Sequence, residues 1–420
     1  MQGHAALRQE LPYWRLSSFY FFFFATLGAL LPYWSLYLKS IGFRPTEVGA
    51  LFAVMMATKI IAPNVWGWLG DRSGRRIGTV RWAAAVAAVA YGAVLLDDGF
   101  WWMALAIAVF SFFWNATLPQ FEAVTLNHLG EHSFRYTRIR LWGSVGFIAS
   151  VFIVGGALDI MAIASLPWIV LALMAAIAIT TLSVKESKRQ NREDGQTVSL
   201  WAVLRQPSVA ALLAACFLMQ ASHGPYYVFF TIQMVEVGHS RQLIGALWSL
   251  GVMAEVALFL VMHRLAPRFG LRTLFLVSFV ATAVRWVLLA YFADVLVIVL
   301  GSQLLHAATF GVYHAVAIQL IHRFFVARHQ GRGQALYSSL SFGAGGAAGS
   351  LFSGYAWESI GPRATWLCAA AAGALAAVIV WRWLQNPPDD RALTFRLPRR
   401  RDLALEYRPS LNSTSNRDRH

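Results

Sequence analysis

Gly67-Trp68-Leu69-Gly70-Asp71-Arg72-Ser73-Gly74-Arg75-Arg76 is a short polar hinge between two long apolar runs. Gly67 is expected to let the preceding helix approach a neighbour closely. Asp71 can cap a helix end or pair with an arginine, and Gly74 permits a tight turn. Arg72, Arg75 and Arg76 put basic charge at the end of an apolar segment, the mark of a loop on the cytoplasmic side of a membrane. A weaker copy, Leu265-Ala266-Pro267-Arg268-Phe269-Gly270-Leu271-Arg272, keeps the Arg-x-Gly-x-Arg skeleton and lacks the aspartate.

Around these two hinges lie further apolar runs, each near the roughly 20 residues that a spanning helix needs. They begin near Leu16, Val48, Ile77, Trp101, Ile139 and Met161, then near Val209, Ile244, Thr273, Val295, Ala335 and Ala364. The expected fold is therefore all-α and integral to a membrane, with twelve transmembrane helices. The tenth run, Val295 to Phe325, exceeds what a bilayer requires and leaves room for tilt or an extension. The first, Leu16 to Leu38, is too long for the core of a signal peptide and lacks a small-residue cleavage site, so it is expected to stay in the membrane.

Composition agrees. The 420 residues are 58% hydrophobic and only 13% charged, against about 25% charged for an ordinary soluble domain. The net charge of +15 is distributed by topology, which argues against nucleic acid as a partner. With the first residues inside, Arg81, Arg135, Arg138, Lys185, Lys188, Arg189, Arg192, Arg205, Arg264, Arg323, Arg328 and Arg332 all fall in or beside inside loops, and outside loops hold only Lys39, Arg44, Arg241 and Arg363. That distribution obeys the positive-inside rule and makes anionic headgroups of the cytoplasmic membrane the natural neighbours. Cys216 and Cys368 both lie in apolar runs and form neither a disulfide framework nor a metal site.

The longest internal polar stretch, Val184 to Gln206, divides the runs six and six. Both halves then have the same orientation, a plan of parallel repeats with a site at their interface near the bilayer midplane. The expected organisation is an N-terminal bundle over 1–183, a linker over 184–206, a C-terminal bundle over 207–385 and a disordered basic tail over 386–420, with both ends cytoplasmic and the chain a monomer.

The first hinge closely resembles the loop motif of the major facilitator superfamily, G-x-x-x-D-R-x-G-R-R. The resemblance implies a secondary transporter of two six-helix bundles that works by alternating access.

Ionisable residues at bilayer depth cost roughly 2.5–3.5 kcal/mol each on insertion scales and are functional candidates. They are Lys59 in the second run, Glu122 in the fourth, Arg140 opening the fifth, Glu255 in the eighth, Arg285 in the ninth, His306 and His314 in the tenth, and His223 beside Gly224-Pro225 in the seventh. Glu122 with Arg140 and Glu255 with Arg285 are the expected couples. Lys59 has no evident partner, which leaves neutralisation by burial or a bound anion.

Several of these positions resemble the lactose-permease-type proton symporters: Pro119-Gln120-Phe121-Glu122, Arg138-Ile139-Arg140-Leu141-Trp142-Gly143, Gly251-Val252-Met253-Ala254-Glu255, Val284-Arg285 and Leu305-His306. The resemblance implies proton coupling by Glu255, Arg285 and His306, and solute contact by Glu122 and Arg140. Three residues past that histidine the permeases carry a glutamate; here stands Thr309. The string from Gln303 to His314, and Phe21 to Phe24, Gly28 and Pro32-Tyr33-Trp34 in the first run, resemble the phenylpropionate transporter family. That resemblance implies an aromatic carboxylate such as phenylpropionate; aromatic walls with Lys59, Arg140 and Arg285 suit a small aromatic or other organic anion, and the candidate substrate contacts are Lys59, Glu122, Arg140, Trp34 and His314. Phe23, Tyr33, Trp114, Tyr226 and Tyr227 are either further walls or packing.

The leading expectation is proton-coupled uptake. A lactose-type sugar symporter is one alternative and a drug or metabolite antiporter another. The fifth run reads Gly143-Ser144-Val145-Gly146 without the proline of the antiporter motif, which disfavours efflux. No nucleotide loop, HExxH or Gly-x-Ser-x-Gly appears, so neither an ATP-driven pump nor an enzyme is expected, and no cofactor is implied.

Overall fold

The computed structural model describes residues 12–130, 135–186, 200–325 and 330–385, with every side chain among them except those of Asp71 and Leu200. The Asp71 side chain, the linker residues Lys188, Arg189 and Arg192, Arg328 and the 386–420 tail lie outside the described residues.

Among the described residues the chain is helical, and twelve helical spans follow one another. They are α1 (Tyr13–Ser40), α2 (Pro45–Ser73), α3 (Arg76–Gly92), α4 (Phe100–Leu129), α5 (Tyr136–Ile160) and α6 (Leu166–Leu182). A short helix, Leu200–Leu204, precedes the second set. That set is α7 (Pro207–Ser222 and Gly224–Glu236), α8 (Arg241–Phe269), α9 (Leu271–Phe292), α10 (Leu296–Leu304, then Ala307–Val312 and Tyr313–Phe324), α11 (Gln330–Ser338, Ser339–Gly345 and Gly346–Ser359) and α12 (Gly361–Trp383). Helices are what lipid allows, because every backbone N–H and C=O must be satisfied within the segment. Ten spans are long and apolar enough to cross a bilayer on length and composition alone. α7 is divided at His223, and α11 begins on the polar turn Gln330-Gly331-Arg332-Gly333-Gln334. The excess length of α10 is taken up in a π turn over Ala307–Val312.

Ends are set by local chemistry. Gly74 lies at φ 63° and stops α2 in a left-handed turn, a conformation that costs other residues more. Proline opens α2, α6, α7 and α12, where its missing N–H has no helical partner to lose. The close approach expected of Gly67 belongs instead to Gly70. A Cβ on Gly70 would stand 2.4 Å from Gln120 Oε1, whereas one on Gly67 would meet Gln120 Nε2 at an ordinary 4.0 Å.

The repeat shows in how helix ends are tied. Arg81 on α3 donates to the carbonyls of Thr181 (3.2 Å), Leu182 (3.3 Å) and Val184 (2.7 Å) at the end of α6. In the second half, Arg272 on α9 donates to the carbonyl of Trp381 (2.6 Å) near the end of α12. Likewise Arg15 of α1 reaches Ser183 O (3.3 Å), and Ser208 of α7 reaches Trp383 O (3.2 Å). Glu186 also accepts from the Ile77 N–H (3.1 Å) at the start of α3. Cationic side chains on the last carbonyls of a helix are the favourable arrangement.

The halves meet along α2 with α11, α5 with α8, and α1 with α7. Their polar ties concentrate on the face opposite to the one where α1 starts and α12 ends. On that far face Lys39 pairs with Glu236 at 2.5 Å. Asp159, at the end of α5, accepts from the N–H groups of Arg241 (2.8 Å) and Gln242 (2.9 Å) at the start of α8, and the Arg241 guanidinium donates to Leu158 O. Glu358, at the end of α11, accepts from the Thr46 N–H (3.0 Å) at the start of α2. α5 and α11 occupy equivalent places in the two halves, as do α8 and α2. Two carboxylates related by the repeat therefore cap the exposed N–H groups of the facing helix. Toward the other face, Ser339 donates to Ile60 O at 3.2 Å. Among the described residues no hydrogen bond or ion pair joins α4 to α10 or α11. Among the described residues the polar ties between the halves are therefore denser on the far face than toward the terminal face.

Candidate functional site

The intramembrane charges gather in the space between the halves. On the first half, Arg140 lies one turn into α5 and its guanidinium covers the Phe24 ring at 3.9 Å. Glu122 on α4 faces it, with Arg140 Nε 3.9 Å from Glu122 Oε1. Tyr136 donates to the same carboxylate oxygen at 2.9 Å. The two side chains remain 36% and 32% exposed, so this is an ion pair open to the inter-bundle space, with the modest worth of a solvated pair. Lys59 on α2 is half-buried, and its Nζ rests 3.4 Å from Met56 Sδ. Among the described residues no carboxylate lies within 4.0 Å of it, so the amine keeps donors for something else.

On the second half the expected Glu255–Arg285 pair is not direct; His306 stands between them. Glu255 Oε2 lies 3.8 Å from His306 Nε2, and Arg285 Nη1 lies 3.1 Å from His306 Nδ1. A guanidinium has only donors, so Nδ1 must accept. The neutral ring then carries its hydrogen on Nε2, toward the carboxylate. Arg285 is fully buried, at 0% exposure, and its charge is met by neutral partners. It donates to Thr309 Oγ1 (3.1 Å) and Gln303 Oε1 (3.3 Å), and lies over the rings of Tyr226 (4.4 Å) and Trp286 (4.7 Å). Tyr226 donates to the same Gln303 oxygen at 2.8 Å. Charge-assisted hydrogen bonds and ring faces offset the desolvation of such a cation. Small residues set the spacing: a Cβ on Gly251 would meet His306 at 3.3 Å, and one on Gly311 would meet Glu255 Cγ at 3.1 Å.

His314 lies two turns below His306 on α10 and shares a 3.0 Å hydrogen bond with Tyr337. Arg140 is within Coulombic range of both Glu255 and His314 across the boundary, so the two half-sites share one field. His223, at the break in α7, is fully buried with its Nδ1 on Met219 O at 2.8 Å.

Trp34 does not reach this space. It is 1% exposed and stacks on Tyr37 (5.0 Å) and against Tyr91 (5.8 Å) within the first bundle. Phe23 and Trp114 stack on each other at 5.0 Å, and Tyr33 donates to Val151 O at 2.7 Å; these are packing. Tyr227 stays half-exposed. In the loop motif Arg72 covers the Trp68 ring at 5.4 Å, the Arg75 N–H donates to Ser73 Oγ (3.3 Å), and α3 starts at Arg76. Reasoning from sequence passed over Gln303, Tyr136, Phe342 and Tyr337. A glutamine in the apolar first part of α10 was a readable signal for the first. The others depend on contacts across helices.

Residues 13–368 match the MFS_1 like family. The chain belongs to that family. A probable 3-phenylpropionic acid transporter of Escherichia coli (strain K12) is 30% identical over 373 residues, 84% of this chain and 93% of the relative. A maltose permease of Geobacillus stearothermophilus is 28% identical over 351 residues, 81% and 86% of the two chains. The crystal structure of the nucleoside transporter NupG superposes with a TM-score of 0.75 at 18% identity, over 89% of this chain and 99% of that one, a likeness of fold alone. As a member of the family the chain is a multi-pass secondary transporter of the major facilitator type, not an enzyme, and it carries small solutes.

Proposed function

We propose that this transporter takes up a small aromatic carboxylate together with protons by alternating access in a bacterial inner membrane. The terminal face, which carries the basic loops, is then the cytoplasmic one. The observation that carries the reading is the Glu255–His306–Arg285 chain. Arg285 meets neutral acceptors, so it leaves Glu255 without a fixed arginine partner, and the carboxylate is free to gain and lose a proton. The carboxylate of the solute would meet Lys59, whose amine has no acid beside it, and Arg140. The relative named for 3-phenylpropionic acid supports the choice of solute. Glu122, held by Tyr136 and Arg140, and the maltose permease relative favour a sugar as the second reading. The protein acts as a monomer of a 1–183 bundle, a 184–206 linker and a 207–385 bundle.

The test is proton movement. Adding 3-phenylpropanoate to lightly buffered cells that express the protein is expected to make the medium more alkaline, beyond what cells without it show. Labelled acid entering with no such excess contradicts the symport reading. A response to maltose and none to the acid favours the sugar.

A further inference from the structure

Three rings line up on α10. Phe310 stacks on His306 (5.3 Å, 8°) and on His314 (6.1 Å, 14°). An α-helix carries each fourth residue about 40° past the first, so three rings at this spacing would normally fan out. The wider π turn over Ala307–Val312 takes up the overshoot between His306 and Phe310, and the rings stay in register. Phe342, in the π turn of α11 (Ser339–Gly345), meets Phe310 edge to face at 6.2 Å and His314 at 5.9 Å. Both phenylalanines are half-buried, so part of each ring stays open to a partner.

The lone cation is beside them. A Cβ on Gly343 would stand 3.0 Å from Ile60 N, so the backbone next to Lys59 presses on the residue next to Phe342. Met56, which holds the Lys59 amine, would be 3.4 Å from a Cβ on Gly346. Lys59 and Phe342 therefore lie on facing stretches of α2 and α11, and Phe342 carries Phe310 of α10 on its edge.

We infer that Phe310 and Phe342 together line one wall of the slot that holds the aromatic ring of the solute, and so decide between aromatic and saturated acids, while Lys59 takes the carboxylate. The inference rests on the aromatic-carboxylate reading above and adds to it the residues that select the ring. An edge-to-face or offset partner favours an aryl ring over a saturated ring of the same carbon skeleton.

Uptake of 3-phenylpropanoate against 3-cyclohexylpropanoate, which has the same charge and chain, tests it in proteoliposomes. The unaltered protein is expected to prefer the phenyl acid. Phe310→Leu and Phe342→Leu are each expected to lower that preference by roughly 2- to 10-fold, the size of one aromatic pair. Phe310→Tyr, which keeps the ring, retains it and guards against a folding defect being read as lost selectivity. A ratio unchanged in both leucine variants, with both acids still carried, overturns the slot and leaves the proposed function standing. Transport of neither acid by the unaltered protein overturns both.

Discussion

Glu255 and Arg285 lie on α8 and α9, and His306 decides how they communicate. With His306 Nδ1 committed to Arg285, the Nε2 side is the one that meets Glu255. A proton arriving on Glu255 removes a negative charge from a site that also holds Arg140 within Coulombic range. Loading therefore changes how strongly the first half is attracted to the second. Glu255→Gln keeps the shape and hydrogen bonding of the side chain and removes its titration. The expected outcome is loss of accumulation against a gradient, with exchange of labelled for unlabelled solute retained. Counterflow and pH-driven uptake measured on one preparation check it, and full pH-driven accumulation in the variant clears Glu255 of the role. Thr309 has a place in this account. It accepts from the same guanidinium nitrogen that serves His306, so it supports the arginine and adds no carboxylate.

The far face is tied by a pair of capped helix ends. Asp159 holds two N–H groups of α8, and Glu358 holds one of α2. Each side chain satisfies an N–H at a helix start, so Asp159→Ala with Glu358→Ala is expected to shift the balance between closed and open far faces toward open. Spin labels at Ser40→Cys and Val237→Cys, with Cys216 and Cys368 replaced by alanine, report the distance between the outer ends of α1 and α7. A second, longer distance growing in the double variant is expected. An unchanged distribution would mean that helix packing alone keeps this face shut. Elements were also where sequence was most and least readable. Ten spans declare themselves by apolar length, and Gly74 and the helix-opening prolines mark ends through purely local chemistry. The break of α7 at His223 is likewise marked by Gly224-Pro225, whereas the two π turns have no such local mark. The same limit produced the expectation of a direct Glu255–Arg285 pair: the sequence spacing of α8, α9 and α10 does not say which histidine faces which acid. It also put Trp34 in the cavity, where the structure turns it onto Tyr91.

At the scale of the whole molecule, two bundles joined by polar ties on the far face bring their intramembrane ionisable residues toward their shared boundary. Lys59, Glu122 and Arg140 come from the first bundle, and Glu255, Arg285, His306 and His314 from the second. In the proposed function the solute meets residues of the first bundle and the proton a residue of the second, so coupling runs through movement of one half against the other. In the proposed function the proton gradient supplies the drive. One pH unit is worth about 1.4 kcal/mol per proton, enough for about tenfold accumulation when one proton accompanies each solute in a neutral exchange of charge. Purified protein in proteoliposomes, with an imposed acid-outside gradient of one unit and labelled 3-phenylpropanoate outside, measures this directly once protein-free liposomes are subtracted. The account predicts a transient accumulation that collapses when a protonophore dissipates the gradient. Uptake that stops at equal concentrations inside and out, whether or not the gradient is present, would contradict it.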